Sequence, residues 1–286
     1  MIKNQLIDIE SQLRSIANML LLNGTLENCP GLINGQTGVS MFFFLYARHT
    51  ENQLFEDYAF DLIEQIKKKI HINSLADYET GIAGIGVGID YFIKNEFLEV
   101  DDDFFDDFDK RMYRAVMYDP WLDFSLYDGL TGYGRYWISR LHQQPSSMQA
   151  KECISYITDK IKNKFPDISE KEMIDIYCFL HDLKNINEYD ISIEFLEKCL
   201  KQLKNYSHCS LRFDNTTIGR FIRDYQNNHY FGCVLQDEKD TILSQIQVLD
   251  LEKPLESVGL LGGYAGEGMI RLTALNPENQ SWMLLL

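Results

Sequence analysis

The chain has 286 residues, of which 45% are apolar, and a formal net charge of −16. This charge argues against nucleic acid as a partner, because phosphate binding needs clustered lysine and arginine. The sequence shows no secretory signal, no apolar run long enough to span a membrane, and six cysteines without a CxxC pair. We therefore expect a soluble cytoplasmic protein with reduced thiols and no membrane span.

Hydrophobic periodicity predicts that helices of two kinds alternate along the chain. Outer helices carry a single apolar stripe, as at Leu54, Tyr58 and Leu62, which is typical of a half-solvated helix. Inner helices are apolar almost all round, as over residues 39–48, and such helices are buried on every side. The predicted outer helices cover residues 2–22, 54–70, 102–117, 149–163, 190–204 and 237–249.

A glycine signature begins each well-preserved inner segment. It reads Gly-x-x-Gly, with a further glycine two residues later in three of its four copies. Its first glycine is Gly35, Gly81, Gly129 or Gly263, so successive copies lie 46, 48 and 134 residues apart. The last step is close to three times 45, which predicts two worn copies that begin near positions 173 and 216. A period of this length is typical of repeat architectures.

We number the copies one to six in chain order and count positions within a copy from the first glycine, position 0. We expect a positive φ at position 0, because glycine adopts that conformation readily. The small polar residues before it, Asn34, Thr80 and Asp128, are expected to cap the inner helices. A glycine inside a helix costs ~1 kcal/mol relative to alanine. We therefore expect the glycines at +3 and +5 to permit close packing of neighbouring segments.

Six pairs of outer and inner helices account for nearly the whole chain. We therefore predict an all-α fold, an (α/α) toroid or barrel of six helical hairpins, in a single domain over residues 1–286. In such a toroid the loops ahead of the inner helices gather at one end around a central cavity. A cavity of this kind is the expected place for a ligand.

Two stretches resemble the lanthionine synthetase C-like (LanC-like) family. They are Gly31-Leu-Ile-Asn-Gly35-Gln-Thr-Gly38 and residues 259–282, which read GLLGGYAGEGMIRLTALNPENQSW. The resemblance implies an (α/α) toroid of seven hairpins, so a seventh hairpin is left open here. It also implies a role in modifying ribosomal peptides, as in lantibiotic biosynthesis. A peptide substrate or a peptide-modifying enzyme would then be the partner.

Cyclases of that family hold a zinc ion with two cysteines and one histidine in the two repeats before the last. The zinc activates a peptide cysteine for closure of a thioether ring. At the matching positions this chain has Lys171 in copy four and Asp214 and Asn215 in copy five. Because these side chains make a poor zinc site, we expect no metal or other cofactor and a zinc-free accessory or peptide-binding relative. Alternatively, His208 and Cys209 form the displaced zinc site of an active cyclase.

Polar residues in the loops ahead of the inner helices are the candidate ligand contacts. They are Asp77, Tyr78, Tyr127, Asp128, Asp214 and Asn215. Carboxylates at a cavity favour a cationic or hydroxyl-rich ligand, whereas carboxylates that cap helices have a structural role. A further alternative is a carboxylate-based enzyme that acts on carbohydrates through Asp77 and Asp128, by analogy with other (α/α) toroids. Whether the chain is an enzyme is therefore left open.

Overall fold

The computed structural model describes residues 2–71, 73–101, 103–119, 123–186, 193–204, 213, 216–232 and 257–286. Within these ranges the chain forms eleven α-helices, two 3-10 helices and no β-strand, which confirms the all-α prediction. The chain divides into two compact units. Unit 1 contains Met1–Ile70, Tyr91–Leu98 and Phe213–Leu286, and unit 2 contains His71–Asp90 and Glu99–Arg212. The single domain and the toroid stay predictions.

Outer and inner helices alternate in the predicted order. The outer helices are α1 Ile2–Asn23, α3 Gln53–Lys69, α5 Asp106–Met117, α7 Met148–Lys164 and α9 Ile193–Lys204. The inner helices are α2 Gln36–Thr50, α4 Ile82–Lys94, α6 Leu130–Gln143, α8 Glu170–Lys184, α10 Thr217–Phe231 and α11 Tyr264–Leu275. Short 3-10 helices cover Phe165–Asp167 and Pro277–Leu285. The outer helix predicted at 237–249 lies outside the described residues.

The start of α5 differs from its prediction. The helix begins at Asp106 rather than at 102, so three other carboxylates, Asp106, Asp107 and Asp109, occupy its first turn. Negative charge in the first turn is favourable because it meets the positive end of the helix dipole. No helix among the described residues has both the length and the apolar character needed to cross a membrane.

Unit 1 is built around the inner helices α2 and α11. Phe42, Phe43 and Phe44 of α2 are all buried because they point to different sides of a helix that is covered all round. Helix α3 packs along α2, and α11 packs against both α2 and α1. Helix α1 therefore covers the last inner helix of the chain, although the two are the most distant helices in sequence.

Unit 2 is built around the inner helices α6 and α8. Tyr136 and Trp137 of α6 and Phe179 of α8 are fully buried, and the two helices pack against each other. The sequence pairs each inner helix with the outer helix that precedes it. In the structure α6 packs more extensively on α7, which follows it, than on α5. These inner helices therefore pack more extensively on the outer helix that follows them than on the one that precedes them, as α8 also does with α9.

The glycine loops share one backbone hydrogen-bond pattern. In each of the four intact copies, the amide at position +1 donates to the carbonyl at −6, as from Gln36 to Cys29 at 2.9 Å and from Ile82 to Leu75 at 2.9 Å. The same bond joins Leu130 to Asp123 and Tyr264 to Ser257. The loop thus satisfies an amide of the first helical turn, which has no partner inside the helix.

The expectation of a positive φ at position 0 is wrong, and so is the expectation that Asn34 and Asp128, at −1, cap α2 and α6. Gly35 has φ −142° and Gly129 has φ −107°, which other residues adopt freely. These glycines are themselves the N-caps of α2 and α6, and no side chain caps either helix. Glycine is required instead because the loop passes so close: a Cβ on Gly35 would lie 2.5 Å from the Cys29 carbonyl oxygen, and one on Gly81 would lie 2.5 Å from that of Leu75.

The glycines at +3 and +5 permit close packing, as predicted. A Cβ at +3 would collide with the carbonyl of the copy's own −3 residue, as Gly38 with Leu32 at 2.5 Å and Gly132 with Leu126. A Cβ at +5 would collide with an aromatic ring on a neighbouring inner helix. The pairs are Gly86 with Tyr136, Gly134 with Phe179 and Gly268 with Phe42.

Neighbouring glycine loops are joined by a hydrogen bond that recurs in both units. In unit 2 the amide of Tyr78, at −3 of copy two, donates to the carbonyl of Tyr127, at −2 of copy three, over 2.7 Å. In unit 1 the amide of Leu260, at −3 of copy six, donates to the carbonyl of Ile33, at −2 of copy one, also over 2.7 Å. The last copy therefore contacts the first copy in the way that copy two contacts copy three.

Candidate functional site

A cavity of about 400 Å³ lies in unit 2, between α5, α6 and the glycine loops of copies two and three. Its size falls in the range of small-ligand sites, roughly 300–1,000 Å³. Two of the predicted contacts, Asp77 and Asp128, both line it. The other lining residues are Leu75, Ala76, Glu79, Thr80, Arg111, Ala115, Asp119 and Tyr133.

The Asp77 carboxylate is held inside its own loop. Its Oδ1 accepts hydrogen bonds from the amide of Thr80 at 2.7 Å, the hydroxyl of Thr80 at 3.1 Å and the amide of Gly81 at 3.2 Å. The Asp77 carboxylate therefore orders the turn ahead of α4 and also lines the cavity, and its contact with a ligand stays a prediction. A carboxylate fixed in this way offers a ligand a negative charge in a constant position.

Asp128 is the more exposed residue of the pair, its carboxylate is only partly withdrawn from water, and it caps no helix. Burial raises its pKa above the ordinary aspartate value, and the nearby charges of Asp77 and Asp123 raise it further. Within the described part of the chain, no hydrogen bond to this carboxylate is formed by a protein group. Its position in the cavity leaves it available to a ligand, and a cationic ligand would relieve the repulsion among the three carboxylates.

Tyr133 and Arg111 lie on the helices that flank the two loops. Burial, together with the negative charges of Asp77, Asp123 and Asp128, raises the pKa of Tyr133 to about 12, while Arg111 opposes the shift. The phenol is therefore neutral at physiological pH and can donate a hydrogen bond. Arg111 donates from Nε to the carbonyl of Ser74 over 2.9 Å, which fixes its guanidinium at the edge of the cavity.

Sequence reasoning missed the residues that α5 contributes. Arg111, Ala115 and Asp119 are spaced four residues apart, so they share one side of the helix and its C-terminal extension. That spacing was available in the sequence. Nothing in the sequence, however, says that this side of α5 meets the loops of copies two and three rather than solvent.

The remaining predicted contacts differ in their placement. The side chain of Tyr78 is fully buried, so direct ligand contact by this side chain finds no support. Tyr127 is partly buried, and its carbonyl accepts the Tyr78 amide. Asp214 and Asn215 lie outside the described residues, as do His208 and Cys209, the displaced zinc ligands of the alternative interpretation. Lys171, at a family zinc position, lies exposed in the first turn of α8.

Buried thiols elsewhere in unit 2 do not add to the site. Burial raises the pKa of Cys153 and of Cys199 to about 12 in each case. Because the thiolate is the nucleophile and the metal ligand, these two cysteines are suited to neither role at neutral pH. They pack as small apolar side chains on α7 and α9.

Comparison with models of protein families finds no match for this chain, and comparison with curated proteins finds none either.

Proposed function

We propose that the chain is a LanC-like (α/α) toroid that acts without zinc, as a peptide-binding accessory protein in the modification of ribosomal peptides. The fold part of the proposal is supported by the repeated contacts. In an open repeat array the last copy does not contact the first. Here copy six contacts copy one through the bond from Leu260 to Ile33, and Phe42 of copy one lies against Gly268 of copy six.

A second contact supports ring closure. Inner helices pack on the outer helix that follows them, as α2 on α3 and α6 on α7. Helix α11 packs on α1 in this way, so the first outer helix of the chain takes the place of a following outer helix for the last inner helix. A closed ring of helical pairs requires this arrangement, whereas a linear array would leave both α1 and α11 with an uncovered side.

The binding function is carried by one observation, the charge of the cavity. Four carboxylates line it, those of Asp77, Glu79, Asp119 and Asp128, against the single guanidinium of Arg111. Leu75 and Ala115 supply an apolar wall. A lysine or arginine side chain matches this combination, because its methylene stem covers apolar surface while its head forms ion pairs. We therefore propose a basic peptide segment as the ligand.

Peptide binding can be measured directly by fluorescence anisotropy. A labelled lysine-rich decapeptide is titrated with the protein at low salt, and a glutamate-rich decapeptide serves as the comparison. We expect saturable binding of the basic peptide only. Asp128→Asn should weaken it about five- to tenfold, since a hydrogen bond to a charged group contributes about 1.5–3 kcal/mol when sheltered and less when exposed.

The matched control is Asp159→Asn, which makes the same charge change on an exposed position of α7 in the same unit. If Asp159→Asn weakens binding as much as Asp128→Asn, the peptide responds to the net charge of −16 and not to the cavity. Equal binding of the acidic peptide would also contradict the proposal.

The zinc alternative requires a separate measurement. Protein purified without a metal-chelating tag is analysed for metal, beside a Cys209→Ala variant. Near-stoichiometric zinc that Cys209→Ala removes would replace the zinc-free proposal by an active cyclase with a displaced site. Absence of zinc in both proteins, together with peptide binding, is the result that we expect.

A further inference from the structure

The loop that holds Asp128 is fixed differently from the loop that holds Asp77. The Asp77 loop, in copy two, is held by the hydrogen bond from the Tyr78 amide to the Tyr127 carbonyl in copy three. The equivalent amide in copy three is that of Leu126, at −3. By the same pattern its acceptor would come from copy four, which has lost its glycines and whose position −2, Lys171, already lies inside α8.

Copy four supplies two side-chain carboxylates in place of the loop. Oδ2 of Asp175 accepts the Leu126 amide over 2.7 Å, and Oε1 of Glu172 accepts the Phe124 amide over 3.0 Å. Both carboxylates stand in the N-terminal half of α8. Asp175 is only 9% exposed, so its bond to Leu126 is sheltered from water and correspondingly strong.

We propose that Asp175 is a positioning residue for the acidic cavity: its carboxylate holds the copy-three loop so that Asp128 faces the ligand. Leu126 stands two residues before Asp128, and between them Tyr127 accepts the amide of Tyr78, which adjoins Asp77. Asp175 therefore acts on both walls of the cavity through two hydrogen bonds that the backbone from Leu126 to Tyr127 joins. The proposal rests on the peptide-binding function.

Copy four retains an inner helix, α8, although its glycines are gone. Helix α8 starts with a capping box, in which Ser169 and Glu172 satisfy each other's amides. It therefore needs no glycine loop to begin. The same Glu172 reaches the Phe124 amide, so the helix start and the cavity loop share one carboxylate.

Two variants at Asp175 separate the hydrogen bond from the charge. Asp175→Leu keeps the number and branching of the side-chain heavy atoms and removes the acceptor, whereas Asp175→Asn removes the same charge but keeps a carbonyl oxygen. We expect Asp175→Leu to weaken binding of the lysine-rich peptide about tenfold, which corresponds to loss of a buried charged hydrogen bond. Asp175→Asn should recover most of the affinity. Thr158→Val, which removes a buried hydroxyl bonded to Ile154 on α7, is the control and should leave affinity unchanged.

Two readouts do not depend on the peptide. Amide hydrogen exchange at Leu126 should accelerate at least about tenfold in Asp175→Leu but not in Thr158→Val. The pKa of Asp128, followed by carbon NMR of its carboxyl group, should return towards the ordinary aspartate value in Asp175→Leu only. If Asp175→Leu does not fold, Asp175→Ala takes its place and exchange is again measured at Leu126.

The outcomes distinguish the two proposals. If the wild-type protein binds no peptide, the peptide-binding function fails, and exchange at Leu126 with the pKa of Asp128 still decides whether Asp175 fixes the loop. If the wild type binds and Asp175→Leu binds equally well, with Leu126 exchange and the Asp128 pKa unchanged, the positioning role is overturned. Equal loss of affinity in Asp175→Leu and Asp175→Asn would assign the effect to charge and would also overturn it.

Discussion

Among the described residues, junctions between neighbouring copies take two chemical forms. Between copies two and three, and between copies six and one, a loop amide donates to a loop carbonyl of the next copy. Between copies three and four, the amide of Leu126 donates to the carboxylate of Asp175 on a helix. In both forms the amide at −3 donates a hydrogen bond to the neighbouring copy. The acceptor is a backbone carbonyl in the first form and a side-chain carboxylate in the second.

The difference shows what the repeat has to preserve. A buried amide without an acceptor costs about 1–3 kcal/mol, and each −3 amide lies in a packed junction. A worn copy can lose its glycines and its loop if another group supplies the acceptor. In copy four that group is the Asp175 carboxylate. The loop that it binds also carries Asp128, which lines the acidic cavity.

The largest expected effect tests whether the glycine loops of copies three and six are packed equivalently. Gly132→Ala and Gly266→Ala each place a methyl group against a loop carbonyl of the same copy, that of Leu126 or of Leu260. Because backbone cannot rotate away, each substitution should lower the free energy of unfolding by about 3 kcal/mol, measured by urea denaturation. A large loss at one glycine and none at the other would contradict the equivalence.

A smaller effect is expected at the +5 glycines, where the obstacle is a side chain. Gly134→Ala meets the ring of Phe179 and should cost about 2 kcal/mol. In a Phe179→Leu background the same change should cost at least about 1 kcal/mol less, since the two positions contact each other. Ser40→Ala, at +5 of copy one, is the control and should cost less than about 1 kcal/mol. An unchanged cost of Gly134→Ala in the Phe179→Leu background would contradict the contact.

Helix capping separates the worn copies from the intact ones. Ser169 caps α8 and Thr216 caps α10 through their side chains, whereas α2 and α6 have no side-chain cap. Ser169→Ala and Thr216→Ala should each lower the free energy of unfolding by about 1 kcal/mol. Asp128→Ala should change it by less than about 0.5 kcal/mol. A loss at Asp128 as large as that at Ser169 would restore its predicted role as a cap.

The smallest effect is the pH dependence of peptide binding. The pKa of Asp128 is raised by burial and by Asp77 and Asp123. A cationic ligand needs the ionised carboxylate, so affinity should be complete above this raised pKa and should fall as pH drops through it. The fall should begin at a higher pH than for an ordinary aspartate, and Asp128→Asn should remove that part of the profile. A profile that is identical in wild type and Asp128→Asn would exclude Asp128 from binding.

The same shift has the opposite sign for stability. A carboxyl group whose folded pKa is raised contributes stability when it is protonated, and that contribution is lost as pH rises through the folded pKa. At neutral pH, Asp128→Asn should therefore leave the free energy of unfolding unchanged or slightly higher. Thermal unfolding of the two proteins at pH 7 measures this.

Helix positions were predictable from sequence because they depend on local patterns. The outer helix predicted at 149–163 is observed at Met148–Lys164, and that predicted at 190–204 is observed at Ile193–Lys204. The register of worn copy five was also predictable, since α10 begins after Thr216. The start of α5 was wrong because the acidic run ahead of it satisfies the helix dipole equally well from several positions.

The candidate site was predictable only in part. Asp77 and Asp128 were identified because both stand in the loops ahead of inner helices, and both line the cavity. Arg111, Asp119 and Tyr133 were missed because their role depends on which side of α5 and α6 meets the loops. Asp175 was missed for the same reason: its partner, Leu126, lies 49 residues away in sequence.

The sequence by itself determined the helices, the repeat and the positions at which only glycine is acceptable, because period and residue size are local properties. Only the tertiary structure decided why those glycines are needed. At Gly35 and Gly81 the reason is a passing carbonyl rather than a positive φ, and at Gly134 it is the ring of Phe179. The acceptor of each loop amide was likewise decided by tertiary structure, because a buried amide donates its hydrogen bond to whichever oxygen the fold brings within reach.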